Sequence, residues 1–177
     1  MAPVALGNVT VRRTVEDQVG DLFRSEYRSL VRMAALLLDD VGASEEVVQD
    51  AFVKLQSGWG RVRDPAKAPA WLRSAVLNGA RSRLRHRQVR QRHLEVVPPP
   101  APSAEAGAML GEGHRAVMEA LRSLPLRQRE ALVLRFYVNL SEEEIATAMQ
   151  VSTGTVKTHV HRGLAALQST LGQEEDR

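Results

Sequence analysis

The chain has 177 residues, enough for one domain or two small ones with modest cores. It contains no cysteine, which excludes disulfides and thiolate-held zinc and makes a reducing, cytoplasmic compartment the expected one. Net charge is +3, and all but Lys54, Lys67 and Lys157 of the 24 bases are arginine, the side chain better matched to bidentate contact with phosphate and guanine.

Residues 1–15 carry no usable pattern and are read as an N-terminal tail without the apolar core of a signal peptide. Leu22, Phe23, Tyr27, Leu30, Val31, Ala34 and Leu38 mark a first amphipathic helix. Its apolar run Met33 to Leu38 is far too short to span a bilayer, so no membrane insertion is expected. Val47, Val48, Ala51, Phe52 and Leu55 mark a second helix, whose other side presents Glu46, Gln49, Asp50 and Lys54. Pro65 and Pro69 interrupt the chain before a third helix, marked by Trp71, Leu72, Ala75, Val76 and Leu84 and running into an arginine-rich end. Trp59 and Trp71 could each stack on a base, but Trp71, at helical spacing with Ala75, is expected to anchor the core.

These helices form an expected first domain, 16–95, in which charge is segregated: net −5 over residues 16–60 and +8 over 61–95. An acidic block followed by a basic one suggests two different partners, one basic or polar and one polyanionic. In the basic block, Arg61, Arg63 and Lys67 in the loop and Arg81, Arg83 and Arg85 beyond can hold phosphates, while the Asn78 amide can donate to and accept from an unpaired base edge.

Residues 96–113 hold four of the eight prolines, at Pro98, Pro99, Pro100 and Pro102, with no apolar periodicity. They are read as an extended, flexible linker whose polyproline-like reach would be on the order of 55 Å. Its only charges are Glu105 and Glu112. A second domain, 114–172, follows, with one helix beginning at Val117 to Leu121 and another starting at Pro125 and continuing through Leu132, Val133 and Phe136.

Ser141 and Glu144 then have the spacing of a capping box, placing a helix start at about Glu142 with Ile145, Ala146 and Met149 on its inner face. Ser152 can cap a next helix with apolar residues at Val156, Val160, Leu164 and Leu167. Two helices joined by a short turn, with a small Ala146 where they meet, read as a helix-turn-helix. The turn carries Gln150 where glycine is usual, at a cost on the order of 1 kcal/mol for a left-handed backbone. The outer face of the second helix offers Ser152 at its cap and Thr155, Lys157, Thr158, His161 and Arg162, donors suited to phosphates and to base edges in a major groove. Residues 173–177 are read as a C-terminal tail, with no further regulatory domain expected.

The chain has no glycine-rich phosphate loop, nucleophile elbow or paired-histidine metal motif, so neither enzymatic activity nor a cofactor is expected. His159 and His161, two apart on a helix, point in different directions and make a poor metal site.

With both halves in view, the chain resembles a bacterial sigma-70 family RNA polymerase sigma factor of the extracytoplasmic-function (ECF) group, which keeps only the second and fourth conserved regions. Glu45-Glu-Val-Val-Gln-Asp-Ala-Phe52 is similar to the family's signature in the helix that docks on the polymerase clamp. Trp71-Leu-Arg-Ser-Ala-Val-Leu-Asn78, followed by Arg81, Arg83 and Arg85, is similar to the segment that opens and reads the minus 10 element. Leu124-Pro125 with Glu130, Leu134-Arg135 and Gly154-Thr-Val-Lys157 are similar to hallmarks of the minus 35 reader.

The resemblance implies an all-α protein of two small helical domains joined by a flexible linker, acting as a transcription initiation factor. It implies core polymerase contacts at Glu46, Gln49, Asp50 and Lys54, and minus 10 contacts at Arg61, Arg63, Lys67, Asn78, Arg81 and Arg85, with Asn78 in a pocket for a flipped base. Minus 35 contacts are implied at Arg135, Ser152, Thr155, Lys157, Thr158, His161 and Arg162. The implied partners are the clamp and flap regions of the largest polymerase subunits and promoter DNA, duplex and melted. Many relatives are also held inactive by an anti-sigma factor. The alternative reading is a stand-alone helix-turn-helix regulator of duplex operators, which the acidic helix and arginine block of the first half disfavour.

Overall fold

A computed structural model describes residues 14–93 and 112–175, and every described element is helical. The first half is α1 (Val15–Leu38), α2 (Val41–Gly58) and α3 (Ala68–His93). The second is α4 (Glu112–Ser123), α5 (Leu126–Leu132), α6 (Glu142–Met149) and α7 (Thr153–Glu175). Among the described residues, no helix is long and apolar enough to cross a membrane. The linker expected over 96–113 lies outside the described residues except for Glu112 and Gly113, which belong to α4, and α7 continues to Glu175.

Local chemistry sets the helix ends. Thr14 and Asp17 form a capping box at the start of α1, with aspartate standing where glutamate is usual. α1 ends at Asp39 in the left-handed region (φ 54°), and the next residue, Asp40, caps α2 by accepting from the Ala43 amide at 2.9 Å. Two aspartates thus make the whole turn between α1 and α2. Ser141 and Glu144 form the expected capping box on α6, and Gln150 adopts the expected left-handed conformation (φ 57°) at its end.

Val47, Val48, Ala51, Phe52 and Leu55 of α2 are all buried, packed with Leu72, Val76 and Leu77 of α3 and with Met33, Ala34 and Leu37 of α1. α2 and α3 approach closely at Gly79, where an added Cβ would lie 2.7 Å from Val47 Cγ1. In the second half Gly163 plays the same part, since its Cβ would meet Leu132 Cδ1 at 2.9 Å. Both contacts need the bare backbone that only glycine offers. Most buried apolar residues of the two halves form one continuous cluster, and α6 packs on α3.

Four apolar expectations fail. Phe23 is 42% exposed, its ring stacked on that of Tyr27 at 4.5 Å. Trp71 is 44% exposed and is not a core anchor; Trp59 is the buried indole, at 8%. Phe136 is 63% exposed because residues Val133–Tyr137 form a π-helical turn, in which i and i+5 come into register and a residue assigned by a 3.6 period rotates outward. Leu164 is also exposed, and the bare Gly163 beside it makes the contact with α5.

Candidate nucleic-acid and polymerase interfaces

The second helix of the helix-turn-helix is positioned from both ends. Ser152 Oγ accepts from the Thr155 amide at 3.1 Å, fixing the start of α7, while Val156 and Gly163 are buried on its inner side. That leaves Lys157, Thr158, His161 and Arg162 exposed on the opposite side at i, i+1, i+4 and i+5. His161 and Arg162 make no hydrogen bond or ion pair with the described residues. Lys157 Nζ lies 3.5 Å from Glu142 Oε2, a surface pair that a phosphate can displace at little cost. Ser152 and Thr155 bond to each other at 2.8 Å, and Thr158 Oγ1 donates to the Gly154 carbonyl at 3.0 Å. Arg135 is exposed yet folded back, donating from Nη1 to the Leu140 carbonyl at 3.0 Å, so it braces the approach to α6 and retains its other guanidinium donors.

At the head of α3 the structure gathers residues assigned to two different jobs. An open cavity of about 410 Å³ is lined by Arg61, Arg63 and Lys67 together with Lys54, Asp64 and Trp71. A half-exposed indole beside four cations suits a base with its flanking phosphates, because aromatic faces stack on any base. Lys54, assigned to polymerase, faces this cavity, and Trp71, assigned to the core, forms part of its wall. Asn78 is not among the lining residues, being farther along α3.

Asn78 instead belongs to a network that crosses between the halves. Its Oδ1 accepts from Arg81 Nη1 at 3.0 Å. Arg81 donates from Nε to Glu130 Oε1 at 2.7 Å and from Nη2 to Glu130 Oε2 at 2.8 Å, a bidentate pair. Glu130, on α5, is fully buried and also accepts from Arg127 Nη1 at 3.0 Å. Arg85, by contrast, is exposed and unpaired among the described residues. The clue to Glu130 was its phase: it shares a helix face with Leu126 and Leu134, so a carboxylate there had to find a cation.

On α2, Glu46, Gln49, Asp50 and Lys54 are all exposed, as expected. Glu46 is ion-paired with Arg83 of α3, both at the surface.

Residues 22–90 match the family described as Sigma-70 region 2, and residues 114–167 the family described as Sigma-70, region 4. The RNA polymerase sigma-E factor of Streptomyces avermitilis is 32% identical over 151 residues, covering 84% of this chain and 82% of the relative. The ECF RNA polymerase sigma factor SigM of Mycobacterium tuberculosis is 34% identical over 152 residues, covering 85% and 76%. Among solved structures, the sigma factor RpoE of Bartonella quintana, crystallised with the anti-sigma factor NepR, matches the fold with a TM-score of 0.71 at 23% identity, over 89% of this chain and 98% of that one. The match of the first half leaves the stand-alone regulator without support. The chain belongs to the sigma-70 family of RNA polymerase sigma factors, in its ECF group, and is a transcription initiation factor.

Proposed function

We propose that this sigma factor divides promoter recognition between two surfaces. The outer face of α7, with Lys157, Thr158, His161 and Arg162, enters the major groove of a duplex minus 35 element, with Ser152 and Thr155 at its start. The cavity at the head of α3, with Arg61, Arg63, Lys67 and Trp71, takes an unpaired base and its phosphates from the melted minus 10 strand. Asn78, Arg81 and Arg85 continue that track along α3. The polar face of α2, with Glu46, Gln49 and Asp50, docks on basic helices of the polymerase clamp, where charge complementarity sets orientation and on-rate. Each surface binds and positions without making or breaking covalent bonds, and the whole acts in the cytoplasm. An anti-sigma factor is a further partner, by analogy with the RpoE complex.

The observation that carries this reading is the exposed donor set on a capped second helix of a helix-turn-helix, held apart from a cationic, indole-walled cavity. Reconstitution with sigma-free core polymerase and mapping of transcription starts tests it. The Glu46→Lys/Asp50→Lys variant should fail to copurify with core polymerase while keeping its helical circular dichroism. Normal holoenzyme from that variant would remove α2 from the docking surface.

A further inference from the structure

We propose that the cavity at the head of α3 is, in the free factor, a binding site for a purine nucleoside polyphosphate, which there competes with the promoter strand. The competition rests on the reading of this cavity as the site of the melted minus 10 strand; occupancy by a free nucleotide does not.

At about 410 Å³ the cavity falls within the roughly 300–1,000 Å³ usual for small-ligand sites. Its charge is unbalanced. Lys54 comes from α2, Arg61, Arg63 and Lys67 come from the connection to α3, and the only carboxylate among the lining side chains is that of Asp64. Asp64 is already committed. Its Oδ1 accepts from the Ala66 amide at 3.1 Å, capping the short turn that follows, and its Oδ2 lies 3.9 Å from Lys67 Nζ. Lys54, Arg61 and Arg63 are exposed, with side chains unpaired among the described residues. Cations gathered along a concave wall focus their field and raise the local concentration of small anions. Arg81, farther along α3, has by contrast the bidentate carboxylate of Glu130. One basic site on this helix is neutralised within the chain, and the other is left to an anion from solution.

The indole decides which anion. Trp71 is 44% exposed and forms part of the wall, and an inorganic polyphosphate has no face to lay on it. A base stacks there with its phosphates turned to the loop cations, and a purine covers more of the indole than a pyrimidine does. Leu55 and Ala68, both buried, add apolar surface beneath the ring. A nucleoside polyphosphate concentrates several negative charges beside one base, whereas a strand supplies one phosphate per base. The free nucleotide is therefore the better match to four cations around a single indole.

Titration of the full chain with adenosine triphosphate, adenosine and inorganic triphosphate tests the site. Tryptophan emission reports on it directly, because the chain has only two indoles and Trp59 is buried. Equilibrium dialysis of radiolabelled adenosine triphosphate gives the affinity independently of emission. Adenosine triphosphate should quench saturably, adenosine should bind about tenfold or more weakly, and inorganic triphosphate should displace the nucleotide without quenching. Arg63→Gln/Lys67→Gln and Trp71→Ala should each lower affinity for adenosine triphosphate by about tenfold, through lost charge-assisted contacts or lost stacking. All three side chains are exposed, so circular dichroism should be unchanged. Trp71→Phe, which keeps a ring, should bind with little loss and show no quenching.

A short single-stranded DNA of mixed sequence should also quench Trp71, and its fluorescein-labelled form should be released as adenosine triphosphate is added. No saturable binding of the nucleotide, with the strand still quenching Trp71, overturns the inference and leaves the strand reading in place. Affinity unchanged in both Trp71→Ala and Arg63→Gln/Lys67→Gln removes the nucleotide from this cavity. A nucleotide held in the cavity that does not release the strand overturns the competition. Quenching by the nucleotide and none by the strand is a failure of the strand reading, with the nucleotide site standing.

Discussion

On α7, Lys157, Thr158, His161 and Arg162 face solvent from a helix whose inner side is fixed by Val156 and Gly163, whereas on α3 Arg81 is engaged by Glu130 from the other half and in turn donates to Asn78. Both helices carry basic residues at helical spacing, so composition does not distinguish them. The difference lies in what packs against each. α7 packs on α4, α5 and α6 and leaves its polar side free, while α3 packs on α1, α2 and α6 and has its Arg81 taken up by Glu130 of α5. The stripe proposed to read duplex is thus exposed in the free protein. Arg81, proposed as a minus 10 contact, is by contrast engaged by the buried Glu130.

The strongest way to break this comparison is to ask whether the halves unfold as one. Leu77→Ala in the first half and Leu134→Ala in the second each remove a fully buried side chain, and each should cost about 2–5 kcal/mol. Both should lower the same calorimetric transition if the shared cluster makes one cooperative unit; two separately shifted transitions would mean the halves are only loosely associated.

Next in size is the asymmetry in DNA binding. Alanine at Lys157, His161 or Arg162 should weaken binding to a duplex minus 35 element, by about 1–3 kcal/mol for a base contact and through a flatter salt slope for a phosphate contact. Arg81→Ala should leave duplex affinity of the free factor almost unchanged and impair open-complex formation in the holoenzyme. Equal loss of duplex affinity at Arg81 would erase the distinction between the two helices.

Smaller effects sharpen the account of the duplex reader itself. Gln150→Gly should stabilise the chain by up to about 1 kcal/mol in denaturant unfolding, since glycine adopts the left-handed conformation at the end of α6 without a Cβ penalty. The smallest concerns the capping box. The hydrogen bond from the Ser141 amide holds the Glu144 carboxyl below its ordinary pKa, aided by the Ser141 hydroxyl and the nearby Arg73, while slight burial opposes the shift. A folded-state pKa below the unfolded one adds stability that is complete above the unfolded carboxylate range and is lost as pH falls through the folded value. Glu144→Gln should therefore lower stability slightly at neutral pH and flatten the acid limb, the difference from the parent vanishing once pH has fallen below the folded value.

Much of the duplex reader was legible because its signals are local. Ser141 with Glu144, Ser152 before an apolar period, and the polar stripe from Thr155 to Arg162 each depend on residues within one or two turns. The buried face of α2 was legible for the same reason, since all five of its marker residues share one helical stripe. Trp71 was misread because periodicity says which residues share a face and not what covers that face. Phe136 was misread because one π-turn resets the phase.

The sequence by itself determined that the chain is helical, where its capped helices begin, that its charge divides into an acidic and a basic block, and that α7 carries an outward polar and basic stripe. These follow from spacings of three or four residues and from side chains competing for neighbouring amides. Only the tertiary structure decided that Lys54 and Trp71 share a cavity with Arg61, Arg63 and Lys67, that bare backbone at Gly79 and Gly163 seats their helices, and that Arg81 meets Glu130. Arg81 and Glu130 are separated by 49 positions, and no local rule pairs them. A buried carboxylate must find a cation, but which of the chain's many arginines it finds depends on how the two halves close.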